Sequence, residues 1–107
     1  MLVKIMPLRS RSFTYHRGEQ RIPMEVPVLL DGHRRQPGTE STFTENVSAR
    51  GARVVSMRRW EQGEKLTLAS RTGEFRSSAR VAYCQPLQGE GFAVGVEFLK
   101  VKGRWVV

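Results

Sequence analysis

The 107-residue sequence has little of the chemistry that marks exported or membrane-embedded proteins. Its one cysteine, Cys84, cannot form an internal disulfide, so we expect a reducing, cytoplasmic location and a small buried side chain. No apolar run approaches the ~18 residues of a membrane span. Lys4, Pro7 and Arg9 interrupt the N-terminal stretch before a signal-peptide core can form. The sequence therefore predicts no membrane insertion.

Signatures of metal binding and catalysis are also missing from the sequence. Both histidines, His16 and His33, lie in loop-like segments without cysteine or carboxylate at ligand spacing, so we expect no metal. No G-x-S-x-G, phosphate-binding G-K-[ST] or cysteine–histidine arrangement occurs, and the acidic residues are scattered singly. We expect neither an enzyme nor a cofactor.

Positive charge is what the sequence has in excess. It has 18 basic and 10 acidic residues, giving a net charge of +8, and most of the basic residues are arginine. The excess lies in residues 1–21 and 46–80. Arginine grips phosphate and guanine edges with two hydrogen bonds and stacks on flat rings. The charge therefore favours an anionic partner such as a nucleotide.

Apolar and polar residues alternate in six stretches, and no stretch has a sustained helical period. The predicted strands cover residues 22–30, 41–46, 51–57, 64–70, 75–83 and 92–98. Pro27 indicates a sheet edge or a bulge in the first strand. In the fifth strand, the alternation places Phe75, Ala79, Val81 and Tyr83 on one face.

Short strands at this spacing, separated by Gly/Pro turns, are typical of a small antiparallel barrel or sandwich. A barrel also leaves no free sheet edges. We expect an all-β, six-stranded antiparallel barrel in one domain, residues 16–107, preceded by a flexible basic arm, residues 1–15. The tail is too short to classify, and Trp105, Val106 and Val107 either cover the barrel end or form a dimer contact.

Two motifs flank the first strands. Arg17 and Arg21 form an R-x-x-x-R pair, but roughly 1.8 such pairs are expected by chance in so arginine-rich a chain, so the pair alone is uninformative. Asn46, Ser48 and Gly51 form N-x-S-x-x-G, for which only about 0.013 chance matches are expected. The combination of the two motifs carries the inference.

With these motifs the sequence resembles the PilZ domain family over residues 17–99. The RVAY of the fifth strand and the VGVEFL of the last strand add to the likeness. The resemblance implies a six-stranded antiparallel barrel that binds the bacterial second messenger cyclic di-GMP. Carried over motif by motif, it implies these ligand-binding residues: Arg17, Arg21, Asn46, Ser48 and Gly51.

The residue types suit that ligand. Guanine offers O6 and N7 acceptors to the guanidinium forks of Arg17 and Arg21. Its N1 and N2 groups donate hydrogens that the side-chain oxygens of Asn46 and Ser48 can accept. Gly51 allows either a special backbone angle or a close approach where a side chain would collide. Two such arginines predict about micromolar affinity.

Some positions depart from the family pattern or leave choices open. Asn46 stands where aspartate is common in the family, which removes one formal charge. His16 precedes Arg17 where a third arginine would be, so the sequence leaves open whether one nucleotide or a stacked pair binds. Arg50 and Arg53 flank the second motif and either contact phosphate or are solvated.

The sequence thus predicts a stand-alone receptor whose Arg17–Arg21 segment is ordered by the ligand and which signals to an unidentified protein partner. One alternative is a PilZ-like interaction module without nucleotide binding. Another is a basic barrel that binds single-stranded nucleic acid, which needs aromatic residues on its basic face. Alternation instead puts the aromatics on core faces, so we expect nucleic acid not to be the ligand.

Overall fold

The computed structural model describes residues 20–107. The predicted arm at residues 1–15, with His16 and Arg17, lies outside the described residues. The described chain forms seven strands: β1 Ile22–Pro23, β2 Pro27–Asp31, β3 Glu40–Ser48, β4 Gly51–Ser56, β5 Lys65–Ser70, β6 Phe75–Pro86 and β7 Phe92–Gly103. From residue 20 to 107 there is no helix that is long and apolar enough to cross a membrane.

The strands close into a barrel through antiparallel pairs. The order is β3-β2-β5-β6-β7-β4, and pairing of β4 with β3 completes the ring. The short strand β1 also pairs with β3, so β1 and β2 are the two parts of the predicted first strand. The predicted six-stranded antiparallel barrel is confirmed.

Thr44 bridges the interruption between β1 and β2. Its hydroxyl accepts a hydrogen bond from Val26 N at 2.8 Å and donates one to Met24 O at 2.7 Å. The side chain of Thr44 thus stands in for the sheet partner that the two residues would otherwise bond. Alternation in the first strand predicts Met24 and Val26 on one face; Val26 is buried, but Met24 is 37% exposed and leaves the core face.

The core fills the barrel with valine, leucine and aromatic side chains. Phe75 packs against Phe98 and Trp105, with ring centroids 5.0 and 4.6 Å apart. Trp105 is buried and donates its indole N–H to Ser48 O at 2.9 Å. Trp105 therefore covers a barrel end, which is one of the two roles predicted for the tail. Cys84 is half-buried and packs against the core.

A bulge in β6 changes the direction of Tyr83. Val81 pairs with Val96, whereas Tyr83 pairs with Gly95, so two steps along β6 match one step along β7. Because faces alternate along a strand, the extra residue turns Tyr83 to the outer wall. The prediction that Tyr83 shares the core face of Phe75 is wrong.

Candidate functional site

The N-x-S-x-x-G motif forms a β-hairpin in the barrel wall. Asn46 and Ser48 are the closing residues of β3 and Gly51 opens β4, so the motif lies mainly on strands and only residues 49 and 50 make the turn. Ser48 is fully buried, and its hydroxyl donates to Gly51 O at 3.4 Å, a long contact. The indole N–H of Trp105 donates a hydrogen bond to the carbonyl oxygen of Ser48 and thereby holds the hairpin to the barrel end.

Arg21 meets this hairpin directly. It precedes β1, whose Pro23 pairs with Asn46. Its guanidinium Nη1 donates to Asn46 Oδ1 at 2.9 Å, across 25 residues of sequence. An amide oxygen has two lone pairs, so Asn46 keeps a second acceptor position. Arg21, the described arginine of the R-x-x-x-R motif, is therefore in direct contact with the hairpin motif.

Gly51 is required by the close approach of β4 to β7. A Cβ atom at this position would lie 2.3 Å from the carbonyl oxygen of Val96. Gly51 is not among the glycines with positive φ, so it adopts no left-handed conformation. The sequence left two reasons for this glycine, a special backbone angle or a close approach. The structure shows the close approach.

A cleft of about 500 Å³ opens beside the hairpin on the outer wall. Its charged lining consists of Arg21, Arg50, Arg80 and Glu97, and Glu97 forms an ion pair with Arg80. Three cations against one anion make the lining positive. The remaining lining consists of uncharged residues: Ser48, Gly51, Gln62, Gly63, Val81, Ala82, Tyr83, Gly95 and Val96.

Arg53 positions Tyr83 at the edge of this cleft. Arg53 is half-buried, with Nε 2.8 Å from Glu45 Oε1 and Nη1 donating to the Tyr83 hydroxyl at 3.2 Å. Burial lowers the pKa of Arg53, but the interactions with Glu45 and Tyr83 together raise this pKa by a larger amount. The net shift of the pKa is therefore upward. The Tyr83 ring lies against Gly95, where a Cβ would be 2.1 Å from the ring. Arg53 is thus held by protein groups and keeps its charge.

No metal site accompanies these groups. Within residues 20–107, no three His, Cys, Asp or Glu side chains are grouped so that they could hold a metal ion. His33 accepts two backbone N–H bonds at Nδ1 and bonds Arg59 O through Nε2, so it closes a loop.

Comparison with known proteins decides the family. The family model described as PilZ domain matches residues 15–104. The chain belongs to the PilZ domain family. No curated protein matches it. Among solved structures, it is similar to the Bacillus subtilis inhibitor of motility (MotI/DgrA), with a TM-score of 0.66 and 21% identity over 83% of this chain and 44% of that one. That likeness concerns the fold, and this chain spans less than half of that protein.

As a PilZ domain, the chain is of a kind that generally serves as a cyclic di-GMP receptor or adaptor module. The predicted ligand-binding role of Arg21 and the hairpin stays a prediction, and the sequence motifs did not point to Arg80, Gln62 and Tyr83, which also line the cleft. These residues lie on β6 and on the β4–β5 turn, far along the chain from the motifs. No local pattern marks them, because only the closure of the barrel brings them to the hairpin.

Proposed function

We propose that this PilZ domain is a receptor for cyclic di-GMP, bound at the β3–β4 hairpin and the adjoining cleft. The observation that carries the proposal is the position of Arg21, which bonds Asn46 and also lines the cleft. One arginine therefore connects the two motifs whose combination chance does not explain.

Charge and size support this ligand. Cyclic di-GMP carries two phosphodiester charges, and the lining of Arg21, Arg50, Arg80 and Glu97 has a net charge of the opposite sign. A volume of about 500 Å³ falls within the range of small-molecule sites. Arginine forks and the second acceptor position of Asn46 match the two polar edges of guanine.

We further propose that the nucleotide fixes the Arg17–Arg21 segment against the hairpin and that a partner protein reads the changed surface. Arg21 is the described end of that segment and already contacts Asn46. The proposed role of Arg17, the other arginine of the motif, is to bond the phosphate and guanine acceptors that the ligand adds. The proposed setting is the bacterial cytoplasm, where this messenger acts.

Isothermal titration with cyclic di-GMP at physiological salt tests the proposal, with GTP and a short oligonucleotide as competing ligands. We expect selective binding at about micromolar Kd, and the stoichiometry distinguishes one nucleotide from a stacked pair. Arg21→Ala should weaken binding at least about tenfold, which corresponds to ~1.4 kcal/mol. Arg34→Ala removes an exposed arginine from the β2–β3 loop and is the matched control, expected to bind as the parent does.

Three outcomes would change the assignment. A folded barrel that binds no cyclic di-GMP would favour the interaction module without a nucleotide. Steeply salt-dependent binding of any oligonucleotide, with no preference for the dinucleotide, would favour a nucleic-acid-binding barrel. Equal binding by Arg21→Ala and the parent would remove Arg21 from the site.

A further inference from the structure

The outer face of β5, β6 and β7 carries a cluster of exposed cations. Cross-strand register places Lys65 beside Arg80, and Arg76 beside Lys102, with Lys100 beside Ser78. Neighbouring strands lie about 4.8 Å apart and alternate residues about 7 Å apart, so the cluster is only about 15 Å across. We name the following residues the basic face: Lys65, Arg76, Arg80, Lys100 and Lys102.

Little within the described chain neutralises the basic face. Glu97 forms an ion pair with Arg80. Among residues 20–107, the side chains of the other four cations form no hydrogen bond or ion pair. Like charges directly opposite in a sheet are destabilising, so the Arg76–Lys102 pair costs folding free energy. An external anion would relieve that repulsion.

The basic face ends at an unpaired strand edge. β4 pairs with β7 only up to Glu97, and Phe98 N bonds Arg50 O just beyond. From residue 99 to 103, β7 pairs with β6 on one side, and no partner in the described chain pairs with its other side. Such an edge presents unused backbone N–H and C=O groups.

The side chains along this edge alternate in character. Val101 pairs with the buried Ser77 and therefore points to the inner side, although it is 51% exposed. Lys100 and Lys102 point to the basic face. A strand added here would meet lysine, valine and lysine in turn along the edge.

We propose that the β7 edge and the basic face together bind an extended acidic segment of a partner protein. The segment would add a strand at residues 99–103, with carboxylates facing Lys100 and Lys102 and an apolar side chain covering Val101. Recognition by strand addition combines main-chain hydrogen bonds, which give affinity, with alternate side chains, which give specificity.

Other occupants fit these observations less well. A second copy of this chain, paired antiparallel about Val101, would set Lys100 against Lys102 twice. A lipid bilayer would use the charges but not the backbone groups of the edge. Single-stranded nucleic acid needs aromatic platforms, and between the cations the three strands present Thr67, Ala69 and Ser78.

The experiment uses the full chain and labelled peptides of known sequence. The probe is S-E-V-E-V-E-S, and the controls are S-K-V-K-V-K-S and S-E-E-V-V-E-S, which has the same composition but no two carboxylates spaced two residues apart. Fluorescence anisotropy measures affinity, and amide hydrogen exchange by NMR reports on residues 99–103. We expect the alternating acidic peptide to bind at least tenfold more tightly than either control and to slow exchange at those amides of residues 99–103 that point away from β6.

Charge reversal tests the contact more sharply. Lys100→Glu with Lys102→Glu should weaken binding of the acidic peptide at least tenfold and allow the lysine peptide to bind. Arg34→Glu with Arg35→Glu makes the same change in net charge on the β2–β3 loop and should leave both affinities unchanged. Circular dichroism and the Tm check that each variant is folded.

Several results would overturn the inference. Equal affinity for the two acidic peptides, unchanged amide exchange at residues 99–103, or equal loss of binding in the Arg34/Arg35 variant would each do so. Tighter binding of phosphatidylserine vesicles or of an oligonucleotide, without amide protection, would point to another class of partner. None of these measurements requires cyclic di-GMP, so the inference and the proposed nucleotide function fail or succeed separately.

Discussion

Replacing Gly51 by alanine tests whether this glycine serves packing between β4 and β7. Where alanine is tolerated, the change stabilises a protein by about 0.4–1 kcal/mol through the unfolded chain. At Gly51 the new Cβ would lie 2.3 Å from Val96 O, a backbone atom held between Ala52 and Val81. Overpacking of this kind costs about 1–3 kcal/mol, so we expect net destabilisation.

Urea unfolding followed by tryptophan fluorescence measures this effect. A loss of about 1–3 kcal/mol corresponds to a fall in Tm on the order of 5–20 °C for a domain of this size. An unchanged or higher unfolding midpoint for Gly51→Ala would refute the reasoning, because it would mean that β4 and β7 separate at no cost.

Gly95 provides the matched comparison, since its new Cβ would meet a side chain. The obstacle is the Tyr83 ring, 2.1 Å away at its nearest atom. Tyr83→Ala should therefore relieve Gly95→Ala, with a favourable coupling of about 1 kcal/mol or more in a double-mutant cycle. Val96→Ala should give no such relief to Gly51→Ala, because the obstructing oxygen remains. Additive effects in the Tyr83 cycle would contradict the geometry.

Two further substitutions test single contacts. Trp105→Phe keeps a ring in the barrel end but removes the buried hydrogen bond to Ser48 O, and its loss should lower the free energy of unfolding by about 0.5–1.5 kcal/mol; an unchanged urea midpoint would exclude this role for the bond. His33→Phe removes the acceptor of two backbone N–H groups and the bond to Arg59 O, so hydrogen exchange should accelerate at the amides of residues 35 and 36; unchanged rates would show that the loop holds without them.

Alternation of side chains predicts most of this barrel because one side of each strand faces a closed core. Val28, Leu30 and Leu68 are fully buried on the faces that the pattern assigns to them. The errors occur where the count of residues is irregular. The bulge before Tyr83 shifts the alternation, whereas the interruption at Thr44 exposes only Met24, and a period of two contains no signal for either irregularity.

The candidate site likewise has one part that the sequence predicts and another that it does not. Asn46, Ser48 and Gly51 are close in sequence and fold as one hairpin, so a local motif identifies them. Arg80 and Gln62 join the cleft only through the order of strands around the barrel. Their roles depend on topology, which spacing along the chain does not encode.

The cleft has a consequence for the order in which the protein is made. Its lining runs from Arg21 to Glu97, and the indole that holds its hairpin belongs to Trp105. A growing chain on the ribosome therefore has no cleft until β7 has emerged and closed the wall. Contacts between such distant residues form slowly compared with local ones. A cleft ligand would thus recognise only finished molecules and, by binding them, protect the whole barrel against unfolding.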